Sequence, residues 1–347
     1  MSSVMVETTT SPESQIAQWL VTTQYEDVPP EVRGLMRRLT YVILGCAFAG
    51  ASADGCDEVR DTVTSAGGAP QSTILVHGER VPARGAAFVN SVMARAYDIC
   101  DSIGAGQHMG ASVIPTALAV SELIGGIDGE AFIRALALGC EIGARFGAVS
   151  RLDGFDPTGV GNVVAVTAVT GLLMGLDSSQ LSNALGIAFN RMGGSFQSNV
   201  DGSLAVRLIQ GFASENGLLC AQLAQRGMTG PDHWISGHWG FFHLYCKGER
   251  DAAALVHNLG VEWKVRGMAF KNYPSVRWDG GRDRSGTRGH GRGALRCALD
   301  RASRGAAGDR TVLPDGGKPL QGGTLSHGRR PVQRAVCRRE RTAARNA

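Results

Sequence analysis

Four residues of chemical consequence crowd into "AYDICDSIGAGQHMGASVIP", residues 96 to 115: Asp98, Asp101, Ser102 and His108. A carboxylate, a hydroxyl and an imidazole are the groups that take and return protons near neutral pH. Asp98 and Ser102 stand four residues apart and share one face if the stretch begins as a helix. The glycines of "GAGQHMG" permit a bend that turns His108 back toward them, with Gln107 at its side. The plainer reading is a helix-end cap, surface acids and a satisfied loop histidine, and the local pattern by itself leans that way. Asp98 and Asp101 also form a DxxD pair of the kind that opens a magnesium site, but the second acid cluster such a site needs is missing.

Other motifs are weaker. Gly159, Val160 and Gly161 make a fragment of a dinucleotide-binding loop without the strand that must precede it. His233, His238 and His243 cluster in "HWISGHWGFFHLYC" without a carboxylate partner, which marks an aromatic, partly buried loop rather than a metal centre. The eight cysteines are scattered, show no ligand spacing and sit mostly in apolar runs such as "VILGCAFAG", the usage of a reduced compartment.

The elements that must position these groups read as helices. With 347 residues, 43% hydrophobic and 19% charged, the chain can bury a sizeable core. "SPESQIAQWLVTTQ" carries a serine cap, Pro12 at the first helical position and Glu13 in the first turn. "PPEVRGLMRRLTYVILGCAFAGAS" opens on Pro30 and is apolar on almost every face in its second half, so it is expected at the centre. Small residues recur on the later helices up to "VRLIQGFASENGLLCAQLAQRG" and allow close helix approach. Only "STILVHGERVP" reads as strand, turn and strand. The start is polar rather than basic-then-apolar, and no apolar run reaches the roughly 20 residues that span a bilayer, so a cytoplasmic protein with no membrane contact is expected.

These stretches, in this order, resemble the MmgE/PrpD family, which contains 2-methylcitrate dehydratase, cis-aconitate decarboxylase and iminodisuccinate epimerase. The resemblance runs from about residue 12 to Ser275. It rests on "GCAFAG", "AAFVNSVMARAYDICDS", "VIPTALAVSELIGGIDGEAFIRALALGCEIGARF", "GFDPTGVGNVVAV", "LLMGLDSSQLSNALGIA", "VRLIQGFASENGLLCAQLAQRGMTGP" and "FKNYPS". It implies a mainly α fold with a helical main domain over 12–270, an α+β lid opening at 271–275, and a homodimer. It also implies a lyase of the 2-methylcitrate dehydratase type, working on a small di- or tricarboxylate with no cofactor and no metal; decarboxylation and epimerisation are the alternatives. Asp98, Ser102 and His108 fall on the family's active-site Asp, Thr and His, and Lys271 on its lysine at the start of the lid. Arg207 stands where a carboxylate-pairing Lys or Arg is carried, and Gln107 is grouped with it as substrate-facing. Asp156, in "GFDPTG", replaces a family histidine and repels a polyanion unless it is neutralised. Arg95 and Cys100 also replace usual histidine and acidic positions.

The net charge of +4 hides an asymmetry: from Val276 onward 17 Lys/Arg face 6 Asp/Glu, a net of +11, against −7 for residues 1–275. The first eleven residues and the Arg/Gly-rich stretch 276–347 read as disordered. Written in GC-rich codons and read one base later, "VRWDGGRDRSG" gives C-G-G-T-A-A-A-T-G-A-A, which resembles the family's continuation. A shifted reading frame is therefore favoured over a nucleic-acid-binding tail, since Trp278 is its only aromatic residue. On that reading the lid is largely missing, and the chain as written is expected to be inactive or non-enzymatic until the frame is restored.

Overall fold

The computed structural model describes residues 11–104, 106–248 and 252–271, all within one compact unit. The expectations for residues 1–10 and for the stretch from Asn272 onward lie outside these. The described part is mainly α, as the sequence pattern requires. Helix α1 (Pro12–Thr22) starts where expected, with Ser11 Oγ accepting from Ser14 N at 3.2 Å. Glu13, read as a first-turn acid, is instead buried and accepts from the backbone of Ile235 and Ser236 at 3.0 and 2.8 Å. It ties α1 to a loop more than two hundred residues away.

Helix α2 (Pro30–Gly50) buries one face through Val32, Met36, Leu39 and Ile43. It is not central: Tyr41 is 81% exposed and Phe48 56%. Beyond it come α3 (Cys56–Ser65) and the hairpin β1 (Ser72–Thr73) with β2 (Arg80–Val81), paired antiparallel as the sequence suggested. Helix α4 (Ala83–Arg95) leads to β3 (Asp101–Ser102), α5 (Gly110–Leu123), α6 (Gly129–Val149), α7 (Pro157–Leu173), α8 (Ser178–Phe189), α9 (Gln197–Asp201) and α10 (Ala205–Gln225).

The central helix is α7, whose residues 158–171 are all buried. It packs against α5, α6, α8 and α10. An apolar helix surrounded in this way needs thin contacts. A Cβ on Gly139 of α6 would lie 2.4 Å from Val169, and one on Gly217 of α10 would lie 2.5 Å from Val166. Bare glycines let both helices close on α7, where each buried valine contributes roughly 1.5–3 kcal/mol.

After α10 the chain returns through α11 (Phe241–Tyr245), α12 (Ala252–Val256), a 3₁₀ turn (Lys264–Gly267) and β4 (Ala269–Phe270), which pairs antiparallel with β3. One buried ion pair on α6 organises this return. Arg145 binds Glu141 at 2.7 Å and donates to the carbonyls of Leu255, His257, Asn258 and Glu262. Glu141 uses its other oxygen to accept from Val265 N at 2.9 Å. Among the described residues, no helix is long and apolar enough to cross a membrane.

Replacing Arg145 by methionine strands Glu141 and four carbonyls without water. The expected loss is about 3–5 kcal/mol of stability, read as a lower urea midpoint. Amide exchange should accelerate first across residues 255–265.

Candidate functional site

The segment that carries the chemistry leaves the helix before reaching it. Helix α4 ends at Arg95, and Asp98 takes a left-handed backbone with φ of +53°. Aspartate tolerates that region better than most residues. Asp98 and Ser102 therefore do not share a helical face, which corrects the spacing argument. What joins the site is the antiparallel pairing of Asp101 with Phe270 and Ser102 with Ala269, because the next residue after β4 is Lys271.

Asp98 is the meeting point. Its Oδ1 lies 2.5 Å from Arg95 Nη1, forms a short ion pair with Lys271 Nζ, and faces His108 Nε2 at 3.8 Å. Arg95 and Lys271 are almost wholly buried, whereas the Asp98 side chain is 26% exposed and opens the cluster to solvent. Two guarded cations thus sit behind one reachable carboxylate.

Asp101 is buried completely and performs a different task. Its carboxylate accepts from Met109 N and Gly110 N, each at 2.9 Å, and so caps the start of α5. Gly110 is required for this approach, since a Cβ there would lie 2.7 Å from the Asp101 oxygen. Burial pushes the Asp101 carboxyl up to about 6, with the backbone donors pulling the other way.

The Asp101 carbonyl lies 2.6 Å from His108 Nδ1. A carbonyl only accepts, so Nδ1 carries the proton and Nε2 keeps its lone pair toward Asp98. Burial, then Arg95, then Lys271 pull the His108 imidazole down to about 3, leaving it neutral. The arrangement is a neutral base of fixed tautomer beside two cations. It can move a proton on an anion whose carboxylate takes the place of Asp98 against Lys271 or Arg95.

The remaining expectations divide. Ser102 is buried, and among the described residues its hydroxyl has no hydrogen-bond partner. Gln107 donates its amide to Asn162 Oδ1 at 3.0 Å between Gly147 and Gly161 and borders the cavity beside its turn. Asp156 is the N-cap of α7, holding Thr158 N at 2.8 Å and Asn199 Nδ2 at 2.9 Å. Its carboxylate is thus engaged by a helix terminus and a side-chain amide. Arg207 donates to the Asp54 carbonyl and makes no described contact with the Asp98 cluster. Arg95, noted in the sequence only as a departure, is the cation that sequence reasoning left unassigned.

Other motifs fall as read. Gly159 to Gly161 lie inside α7 and form no phosphate loop. His238 and His243 stack, and Trp239 meets both edge-on; all three are exposed, where the loop enters α11. Asp98, Cys100 and His108 offer ligand atoms within 4.8 Å of one another. They suit a metal ion poorly: Arg95 and Lys271 both hold Asp98, burial holds the proton on Cys100, and Cys100 faces Nδ1 while Asp98 faces Nε2. A cavity of about 670 Å³ opens beside the Ile103–Gln107 turn, with Phe155, Phe196 and Lys264 in its wall. It includes none of the Asp98 cluster, and its mainly apolar wall also carries Gln107, Ser150 and Arg151.

A helical domain in which two buried cations hold one carboxylate beside a buried histidine is what the geometry defines. Residues 14–253 match the MmgE/PrpD N-terminal domain, and the chain belongs to the MmgE/PrpD family. Cis-aconitate decarboxylase of Aspergillus terreus is 28% identical over 279 residues, covering 75% of this chain and 56% of that protein. Cis-aconitate decarboxylase-like protein oryM of Aspergillus oryzae is 23% identical, covering 78% and 61%. Cis-aconitate decarboxylase of Homo sapiens is 24% identical over 207 residues, covering 56% and 42%. The chain thus spans about half the length of the curated relatives it matches.

In histidine-selective NMR, His108 is expected to stay neutral through pH 5 and to titrate near pH 3, well below the usual value of about 6.5. Arg95→Met removes a positive charge, so the midpoint should rise. A midpoint near 6.5 in the unaltered chain would show that burial and the two cations do not depress this imidazole.

Proposed function

We propose that this chain supplies the main domain of a cofactor-independent lyase acting on a small tricarboxylate, with cis-aconitate decarboxylation as the leading reaction. The observation that carries the reading is the neutral His108, its Nε2 lone pair turned to a carboxylate that Arg95 and Lys271 hold. The names of the curated relatives favour decarboxylation within that class.

The chemistry asks little beyond these groups. Lys271 and Arg95 pair with substrate carboxylates. Loss of CO2 from the saturated arm of cis-aconitate breaks one carbon–carbon bond and leaves an allylic carbanion. One proton added at the far carbon completes the product. A polyanion entering beside His108 raises its proton affinity, so the imidazole takes up a proton as substrate binds and returns it to carbon. Lys271 and Arg95 stabilise the spreading negative charge.

A second reading, dehydration of a 2-methylcitrate-type substrate, is favoured by the same lone pair. An unprotonated Nε2 can abstract a carbon-bound proton directly, and epimerisation of iminodisuccinate begins with the same step.

The test is incubation with cis-aconitate, 2-methylcitrate and iminodisuccinate in D2O, following CO2, alkene and deuterium on carbon. Both the 347-residue chain and the form read in the shifted frame after Ser275 should be assayed. Turnover of one substrate is expected from the frame-corrected form, with Lys271→Met and His108→Asn each lowering it by about 10²–10⁴-fold. Absence of product and of exchange with all three substrates in both forms would overturn the reading.

A further inference from the structure

We propose that Asn162 is a positioning residue for His108, setting through α7 which ring nitrogen keeps the lone pair. The proposal rests on the proton-transfer reading of His108. Asn162 is fully buried in the middle of the apolar α7, where an amide is costly unless all its groups are matched.

Its Nδ2 donates to the His108 carbonyl at 2.7 Å, and its Oδ1 accepts from Gln107 Nε2 at 3.0 Å. A carbonyl cannot donate, so the amide has only this orientation. One turn earlier on the same helix, Thr158 Oγ1 accepts from His108 N at 3.3 Å. Helix α7 therefore holds the peptide groups on both sides of the histidine and the side chain before it.

The amide is braced in turn. Asn162 Nδ2 lies 3.1 Å from Ser112 Oγ and 3.2 Å from Gln210 Oε1, on α5 and α10. The second N–H of the amide is shared between these two acceptors, so α5, α7 and α10 meet around the backbone of a single residue.

The consequence lies in the ring. The Nδ1 proton reaches the Asp101 carbonyl only while the His108 backbone stays in place. A backbone free to rotate lets the proton move to Nε2, and the nitrogen facing the substrate then loses its lone pair. A displacement of about 1 Å is enough to cost on the order of a hundredfold in rate.

The experiment uses the 347-residue chain labelled at histidine nitrogens. The unaltered chain should show one neutral tautomer for His108, with Nδ1 of pyrrole type and Nε2 of pyridine type. Asn162→Ala should give averaged signals from two tautomers, and Gln107→Met, which keeps volume but frees the Asn162 oxygen, a smaller shift in the same direction. Thr167→Val is the control: Thr167 is buried on α7 and bonds only the Val163 carbonyl.

Where turnover is measurable, Asn162→Ala should lower kcat about tenfold or more, with KM nearly unchanged. A folded Asn162→Ala chain that keeps the single tautomer overturns the proposal. If that variant does not fold, an unshifted tautomer in Gln107→Met overturns it. The tautomer is read without turnover, so a chain inactive on every tricarboxylate still answers this question separately.

Discussion

The placement of the candidate site depends on the Glu141–Arg145 pair of α6. Lys271 comes from the far end of the described chain, and its pairing with Asp98 requires the return segment to be held at a fixed place against α6. A buried guanidinium with five partners fixes that place. An ion pair in this position is a weak source of net stability, because desolvation offsets most of the attraction. What it gives is geometry, since the planar fork of an arginine meets several carbonyls at once where a hydrophobic contact allows sliding.

That geometry feeds an electrostatic arrangement in which every charge has a constraint. Asp98 keeps Arg95 and Lys271 together in the absence of substrate, and the two cations help to deprotonate the imidazole beside them. Asp101 supports both sides of the site, because its side chain caps α5 while its carbonyl orients the ring of the residue just before that helix. One buried aspartate thus couples, through its side chain and its carbonyl, the start of a helix to the tautomer of a base.

Much of this was legible in the sequence, and the failures have physical causes. The Ser11–Pro12 start, the hairpin around His77-Gly78 and the all-helical body follow from local rules of capping, turns and periodicity. The return of His108 toward Asp98 was legible in the glycine bend, whereas the approach of Lys271 followed from resemblance alone: α4 stops at Arg95, and an antiparallel pair of two-residue strands closes the site. The direction of Arg207 was not legible, because a cation on a helix points wherever the helix is rotated, and α10 turns it toward Asp54. Asp156 shows the same limit, since its residue type in the sequence did not tell that it caps α7.

Arg95 and Asn162 were missed for opposite reasons. Arg95 stood in plain view as a departure, but its role depends on a left-handed turn at Asp98 that brings the carboxylate back onto the helix end. Asn162 was hidden inside "GVGNVVAV", where small and branched residues draw attention to packing. The signal was there: a helix buried on all sides cannot hold a free amide, so a lone asparagine in it must answer polar groups brought from elsewhere. The groups it answers belong to Gln107 and His108, which makes the central helix of the fold also the support of the candidate base.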